Sequence, residues 1–248
     1  MHFIEHIIEP TKLLLAWQSL DETHRTRYVV AELNLVDDEV NLVYLTHSKD
    51  FQKAQEKGFE SYPAFPDINK TYSNVLDTFM RRLPPRSRGD FSQYLEGIRL
   101  KRDSKISNFG LLGYSGAKLL SDGFSIIHPF NNVKDDCELL LEIAGFRHIE
   151  ENDSAKIIVG TPVSFSVVDE HEVTQEPAIR IMVGDKKLGY VNRALVPTVL
   201  EWIKDKRILS AWIEKINGTP GRPAAYIYTQ ILEKELHNER FCSQGPSL

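Results

Sequence analysis

The chain has 248 residues, of which 42% are hydrophobic and 26% charged, an ordinary profile for a globular protein with one large or two small domains. Its formal net charge of −5 excludes a uniformly basic nucleic-acid coat, so any anion site must be a local patch. Two cysteines, Cys137 and Cys242, exclude a disulfide framework and a four-cysteine metal site, and we expect free thiols in a reducing compartment.

Neither export nor membrane insertion is indicated by the residue pattern. Met1 to Glu9 contains acidic residues and lacks the basic start of a signal peptide. No apolar run approaches the roughly 20 residues that a membrane-spanning helix needs. We therefore expect a soluble cytoplasmic protein.

Short strands and helices alternate in the first half of the chain. The apolar run Thr11–Trp17 and the segments Tyr28–Leu35 and Val40–Tyr44 predict an antiparallel meander. The apolar spacing then predicts four helices: Phe51–Lys57, Val75–Arg82, a segment from Phe91 to Ile98, and Ile106–Leu112. We predict a loop over Gly113–Gly116, a strand over Phe124–Ile127, and a domain boundary near residue 132.

The second half of the chain is organised around a hairpin within Pro177–Arg193. Compact and β-branched residues predict a strand over Ala178–Val183, and Gly184-Asp185-Lys186 has turn chemistry. Gly189, inside the returning strand, indicates a bulge or a close backbone approach. The remaining predictions are a helix over Leu195–Ile203, a strand or helix end over Ile208–Ile216, a loop over Gly218–Pro223, a closing strand over Ala225–Leu232, and a polar tail from His237 to Leu248.

The densest positive charge lies between Arg81 and Lys105, which holds eight basic and three acidic residues. Guanidinium groups bind phosphate with two hydrogen bonds, so this stretch is a candidate phosphate or nucleic-acid site. The candidate contacts are Arg81, Arg82, Arg86 and Arg88. A solvated helix face with internal ion pairs to the acids is the alternative interpretation.

Three segments of the second half resemble the HIRAN domain. They are Ala144–His148, Gly160–Phe165, and the hairpin with its run Lys187-Leu188-Gly189-Tyr190-Val191-x-Arg193. The order and spacing of these segments agree with that family. The resemblance implies a small OB-like barrel whose groove binds single-stranded DNA, in some members at its 3′ end, with aromatic side chains stacking on bases and basic side chains holding phosphates.

Carried over position by position, the HIRAN resemblance implies the following DNA-binding residues: Arg147, His148, Lys186, Lys187, Tyr190 and Arg193. A core position for Tyr190, and an ordinary charged turn for the two lysines, remain open. The chain departs from the family at Val173–Pro177, where an Asn-Pro-x-Asp segment usually contributes to end recognition. DNA binding is implied by the resemblance, but specificity for an end is not.

The first half resembles the small N-terminal subdomain of HipA-type proteins. The resemblance lies in the Tyr62–Pro66 loop, the helix ending in Leu83-Pro84-Pro85-Arg86, and the Phe109–Phe124 segment. In HipA-type proteins this piece precedes a kinase core, but here no kinase loop or Gly-rich phosphate loop follows. Free-standing bacterial proteins that pair such a part with HIRAN are similar in organisation.

Catalytic patterns are poor, and we expect neither an enzyme nor a cofactor. The sequence has no zinc-spaced Cys/His cluster and no Gly-x-Ser-x-Gly, and its acids Asp67, Asp77 and Asp122 show no recognisable pairing. We predict an α+β protein with an N-terminal domain (1–132), a barrel domain (133–235) and a flexible tail (236–248).

Three functions stay open at this point. The first is binding of single-stranded DNA or DNA ends, in bacterial defence or repair by analogy. The second is a non-catalytic module that docks on a protein partner such as a HipA-type toxin kinase, as an antitoxin-like subunit. The third is a nuclease built on acids that the pattern does not reveal.

Overall fold

A computed structural model describes residues 1–20, 26–119, 121–146, 157–169, 176–219 and 222–234. The chain forms two compact units. The insert unit is Ile8–Phe130, and the split unit combines Met1–Ile7 with the described residues from Asn131 onward. The sequence boundary near residue 132 placed the first residues with the N-terminal domain, whereas Met1–Ile7 belongs to the split unit.

A four-stranded antiparallel sheet forms one layer of the insert unit. Its strands are β1 (Lys12–Gln18), β2 (Arg27–Val36), β3 (Glu39–Tyr44) and β4 (Phe124–Ile127), in the order β3-β2-β1-β4. The predicted meander is thus present, and alternate residues such as Leu13, Leu15 and Leu33 are fully buried on the core face.

Four helices complete the insert unit: α1 (Lys49–Glu56), α2 (Leu76–Met80), α3 (Phe91–Gly97) and α4 (Asn108–Ser115). Aromatic rings form much of the core, with the ring centroids of Tyr62 and Phe79 4.9 Å apart and those of Phe59 and Phe124 6.3 Å apart. The Tyr44 hydroxyl donates to the Phe65 carbonyl at 2.7 Å, and burial raises the pKa of Tyr44 to about 12.

The fourth helix differs from its prediction. It begins at Asn108 and continues through Gly113 to Ser115, the stretch predicted as a loop. The side chain of Ser107 caps its first turn, and only Gly116 leaves the helix, with a left-handed φ of +73° that glycine adopts cheaply. Buried apolar neighbours therefore outweighed the loop character of the glycines.

Two three-stranded antiparallel sheets form the split unit. One contains β5 (Cys137–Glu142), β9 (Ile208–Thr219) and β10 (Arg222–Ile231) in the order β5-β10-β9. The other is the meander of β6 (Ser164–Val168), β7 (Ala178–Val183) and β8 (Lys186–Tyr190). A short 3-10 turn (Arg193–Leu195) and helix α5 (Val196–Lys204) follow the hairpin.

Several boundaries in the split unit differ from the predictions. The first strand of the split unit is β5, which the residue pattern does not predict. It ends at Glu142, before the predicted opening strand at Ala144–His148. The predicted loop over Gly218–Pro223 is shorter, since β9 extends to Thr219 and β10 begins at Arg222. The alternative of a helix end around Trp212 is excluded because that residue lies inside β9.

Isolated bridges join the two sheets of the split unit at both edges. Ala144, just beyond β5, exchanges two backbone hydrogen bonds of 2.9 Å with Tyr190 at the end of β8. At the other edge, Val163 N–H donates to the Ala211 carbonyl and Ile213 N–H to the Thr161 carbonyl, both at 2.9 Å. Within the described residues, these joins are short bridges, and no continuous ladder closes a barrel.

Among the described residues, no helix is both long enough and apolar enough to cross a membrane.

Candidate nucleic-acid interface

The predicted hairpin is formed by β7 and β8. Gly184 in its turn has a φ of +54°, in the left-handed region that glycine adopts at little cost. A Cβ on Gly189 would collide with the carbonyl oxygen of Ala144, which confirms the predicted close backbone approach. The register shifts between Ile181 and Met182, so a bulge accompanies that approach.

The hairpin brings two of the predicted residues together on its outer surface. The ammonium of Lys187 lies 5.0 Å from the centroid of the Tyr190 ring and donates to the Tyr190 hydroxyl at 3.2 Å. Lys187 is exposed and Tyr190 half-buried, so the tyrosine is not a core residue. Lys186 is also exposed, at the start of β8 beside the turn. An aromatic ring and two cations therefore lie on one hairpin.

The neighbouring strands extend this surface with residues outside the predicted set. Tyr190 is paired with Arg180 on β7, and Arg180 with Ser166 on β6. Directly opposed residues share a sheet face, so this row places a second cation beside the tyrosine. Strand alternation was the available signal, because Ile179 and Ile181 face the core and so direct Arg180 outward.

Arg193 is engaged by an acid. Its guanidinium donates to Glu176 at 2.7 Å, and both side chains are partly exposed. The pair joins the 3-10 turn to the chain just before β7. This contact neutralises much of the charge that the sequence analysis assigned to phosphate binding at Arg193.

The other two HIRAN-derived candidates, Arg147 and His148, lie outside the described residues. The same is true of Val173–Gln175, most of the segment that departs from the family pattern, and of residues 236–248, predicted as a flexible tail.

In the Arg-rich stretch, Arg82 is a buried structural residue. Its guanidinium forms two hydrogen bonds with the Asp122 carboxylate, of 2.7 and 2.8 Å, and also donates to the carbonyls of Ala117 and Phe124. A further bond of 3.3 Å reaches the Tyr62 hydroxyl. The prediction that Arg82 contacts DNA is not supported, because its donors are used inside the insert unit.

This pair also determines the ionisation of Asp122. Partial burial opposes the charged carboxylate, but hydrogen bonds from Arg82 and from the Phe124 N–H outweigh it and lower the pKa of Asp122. Burial likewise disfavours the Arg82 cation, yet the hydrogen bond to Asp122 raises the pKa of Arg82. Both groups are therefore charged at neutral pH.

The remaining arginines of the stretch differ in how far they are engaged. Arg81 is exposed at the end of α2. Arg86 donates to Asn108 at 3.0 Å and to the Ile106 carbonyl at 2.8 Å, and Arg88 pairs with Asp90 at 2.6 Å. The alternative of internal pairing thus describes part of this surface, and three candidate arginines remain exposed.

No group of three or more histidines, cysteines, aspartates or glutamates within the described ranges could hold a metal ion. Comparisons of the chain with protein-family models, curated proteins and solved structures found no match.

Proposed function

We propose that the protein binds single-stranded DNA or DNA ends through the outer surface of the split unit. The observation that carries this proposal is the Lys187–Tyr190 pair on the exposed face of the β7–β8 hairpin. Single-strand binding proteins combine aromatic rings that stack on bases with cations that follow the backbone. Lys187 and Arg180 supply cations on the same face as Tyr190, and Lys186 adds one at the neighbouring turn.

A comparison of interaction free energies favours replacement of the Lys187 ammonium on the Tyr190 ring by a DNA base. An exposed cation–π contact is worth about 0.5–1 kcal/mol. Stacking of a base on an aromatic side chain is worth about 1–3 kcal/mol. A base can therefore displace the Lys187 ammonium from the Tyr190 ring, and the displaced ammonium is then close to that nucleotide's phosphate.

We further propose that the split unit is an OB-like barrel of the HIRAN type. The two pairs of bridging hydrogen bonds, at Ala144–Tyr190 and at Thr161–Ile213 with Val163–Ala211, support this interpretation. With these bridges counted as strand contacts, the proposed barrel has the cyclic strand order β6-β7-β8-β5-β10-β9. A small barrel of this kind presents its outer strands and loops to an extended ligand.

The Arg-rich face of the insert unit has a secondary role in this proposal. Arg81, Arg86 and Arg88 are exposed and can contact phosphates, whereas Arg82 is reserved for Asp122. A setting in bacterial defence or repair, without catalysis, follows only from the resemblance.

The proposal is tested by fluorescence anisotropy of the purified protein with a labelled single strand. We expect Tyr190→Ala to weaken binding by about tenfold, the size expected for the loss of one stacked base. Lys70→Ala, which removes the lysine 5.3 Å from the Tyr72 ring in the insert unit, is a control outside the proposed surface. Equal affinity of wild type and Tyr190→Ala would contradict the proposal.

A second candidate, a protein-interaction module, is favoured by the insert unit. Its β2–β3 hairpin exposes 53% of Val36 and 37% of Val43 on one face of the sheet, beside a β3 edge that Tyr72 and Val75 partly pair. Exposed apolar side chains of this kind are suited to docking on a protein partner, for which we propose a toxin kinase of the HipA type. Co-purification of a stable complex that Val43→Lys disrupts would support this candidate, and DNA binding without any partner would argue against it.

A further inference from the structure

A second tyrosine–lysine pair lies on the split unit, in the other sheet. The ammonium of Lys215 on β9 lies 4.7 Å from the centroid of the Tyr226 ring on β10. The two residues are directly paired in the β9–β10 ladder, and both are half-buried. The pair repeats the arrangement of Lys187 and Tyr190 on different strands.

Strand register connects the two pairs. Tyr226 is paired with Glu142 on β5, and Tyr190 with Ala144, two residues further along the same segment. Side chains two residues apart on a strand point to the same face. Glu142 and Ala144 therefore share one surface with their partners Tyr226 and Tyr190. Two strand spacings and two residue steps separate the tyrosines by about 12 Å.

The other half of the β9–β10 face is covered by the chain itself. Trp212 and Tyr228 stack with a centroid distance of 5.0 Å, and His2 packs edge-on against Trp212 at 4.6 Å. The Tyr228 hydroxyl donates to the Phe3 carbonyl at 2.6 Å. The segment Met1–Ile7 thus covers these rings, and Tyr226 is the half-buried aromatic residue that continues the surface towards Tyr190.

We infer that Tyr226 and Lys215 form a second base-stacking position, so that one DNA strand crosses from β8 over β5 to β10. This inference rests on the proposed function. Glu142 lies between the two positions and repels phosphate, so the backbone passes beside Lys187 and Lys215 and the bases face the tyrosines. A strand in helical stacking advances about 3.4 Å per nucleotide, so about four nucleotides reach both rings.

DNA oligonucleotides of two lengths distinguish binding at the Tyr190 position from binding at the Tyr226 position. We expect Tyr226→Ala to weaken binding of an oligothymidine of about eight nucleotides by about tenfold, the loss of one stacked base. The same variant should lose much less affinity for a thymidine dinucleotide, because a dinucleotide reaches only one ring at a time and the Tyr190 ring remains. Tyr190→Ala should weaken binding of the longer strand to a similar extent.

Conservative variants distinguish the loss of a DNA contact from a folding defect. Tyr226→Phe keeps the ring and should keep the affinity. Lys215→Gln keeps a polar side chain without the charge, and should make the slope of log affinity against log salt shallower by about 0.7. Lys70→Ala, from the tyrosine–lysine pair of the insert unit, should leave both the affinity and this slope unchanged.

The outcomes distinguish this inference from the function on which it rests. Wild-type affinity of Tyr226→Ala for the longer strand, together with weakened binding by Tyr190→Ala, would overturn the second position and leave the first intact. Absence of wild-type binding to the longer strand would overturn both.

Discussion

Two arginine–aspartate ion pairs of the insert unit are expected to differ in their contribution to the free energy of unfolding. Arg82 is buried and forms two hydrogen bonds with the half-buried Asp122, whereas Arg88 and Asp90 are both exposed. Asp122→Asn leaves the Arg82 cation buried without its counter-ion and should lower the free energy of unfolding by about 3 kcal/mol. Asp90→Asn should lower it by less than about 1 kcal/mol.

Urea denaturation of the two variants measures this difference. Equal destabilisation would contradict the structural role of Arg82. For the same reason, we expect Arg82→Ala to unfold the insert unit, and any loss of DNA binding in that variant should not be attributed to a phosphate contact.

His128 gives the stability of the insert unit a pH dependence. Burial lowers the pKa of His128 to about 4. Its Nε2 lies 3.0 Å from the Ile8 carbonyl oxygen, and its Nδ1 accepts from the Phe130 N–H at 3.0 Å. Protonation would occur at Nδ1 and remove that acceptor, so the folded protein favours the neutral ring.

The sign of the effect follows from linkage. Between pH about 6.5 and about 4 the unfolded chain binds a proton that the folded protein excludes, so stability is full above this window and falls by about 3 kcal/mol across it. His128→Asn, measured by denaturation over this range, should show a shallower fall than wild type. His47→Asn is the exposed control, and an identical fall in wild type and His128→Asn would contradict the assignment.

At the scale of elements, two buried glutamates hold the segment Met1–Ile7 on the split unit. Glu138 on β5 accepts the N–H groups of Glu5 and His6, both at 3.0 Å, and contacts His6 Nδ1 at 3.0 Å. Glu214 on β9 accepts the His2 N–H at 3.1 Å and the Trp212 indole N–H at 3.0 Å. Two carboxylates thus fix a segment that belongs to neither helix nor strand.

Removing one carboxylate should loosen the segment. Glu138→Ala leaves two backbone donors without their acceptor, at a cost of about 1–3 kcal/mol. We expect a lower melting temperature and faster hydrogen exchange at residues 5 and 6. Glu60→Ala, at an exposed position of the insert unit, is the control. Unchanged exchange in Glu138→Ala would show that the segment is held by other contacts.

Local patterns were sufficient to predict several elements. The alternation of apolar residues predicted the first meander, and turn chemistry at Gly184 with an anomalous Gly189 predicted the β7–β8 hairpin. In contrast, β5 was missed, although Leu139 and Leu141 are buried, because its run of apolar residues has no alternation. The predicted helix at α4 ends too early, because the glycines of this segment are typical of a loop when their buried neighbours are unknown.

Tertiary contacts account for the failures at the candidate site. Arg82 and Arg207 both resemble surface cations in the sequence, yet both are buried, and Arg207 donates to four backbone carbonyls. No local pattern distinguishes such an arginine from Arg81, which is exposed. A contact between Lys187 and Tyr190 could be predicted from the sequence, since both residues lie on one short strand. That Arg180 lies beside Tyr190 could not be predicted without the pairing register of β7 and β8.

At the scale of the whole molecule, the insert unit interrupts the chain of the split unit. The insert unit is connected to the split unit at Ile7–Ile8 and again at Phe130–Asn131. His128 contacts the Ile8 carbonyl and the Phe130 N–H, so the two ends of the insert are tied together within their own unit. A unit whose ends meet is of the kind that tolerates insertion into another domain.

The most direct test of the proposed function is the anisotropy of labelled single-stranded DNA with the wild-type protein at several salt concentrations. Log affinity should fall linearly against log salt, and Lys186, Lys187 and Arg180, each neutralising one phosphate, should contribute about −2 to the slope. Strands with free and blocked 3′ ends, measured together, show whether an end is recognised. No binding at low salt would contradict the proposal and favour a protein partner.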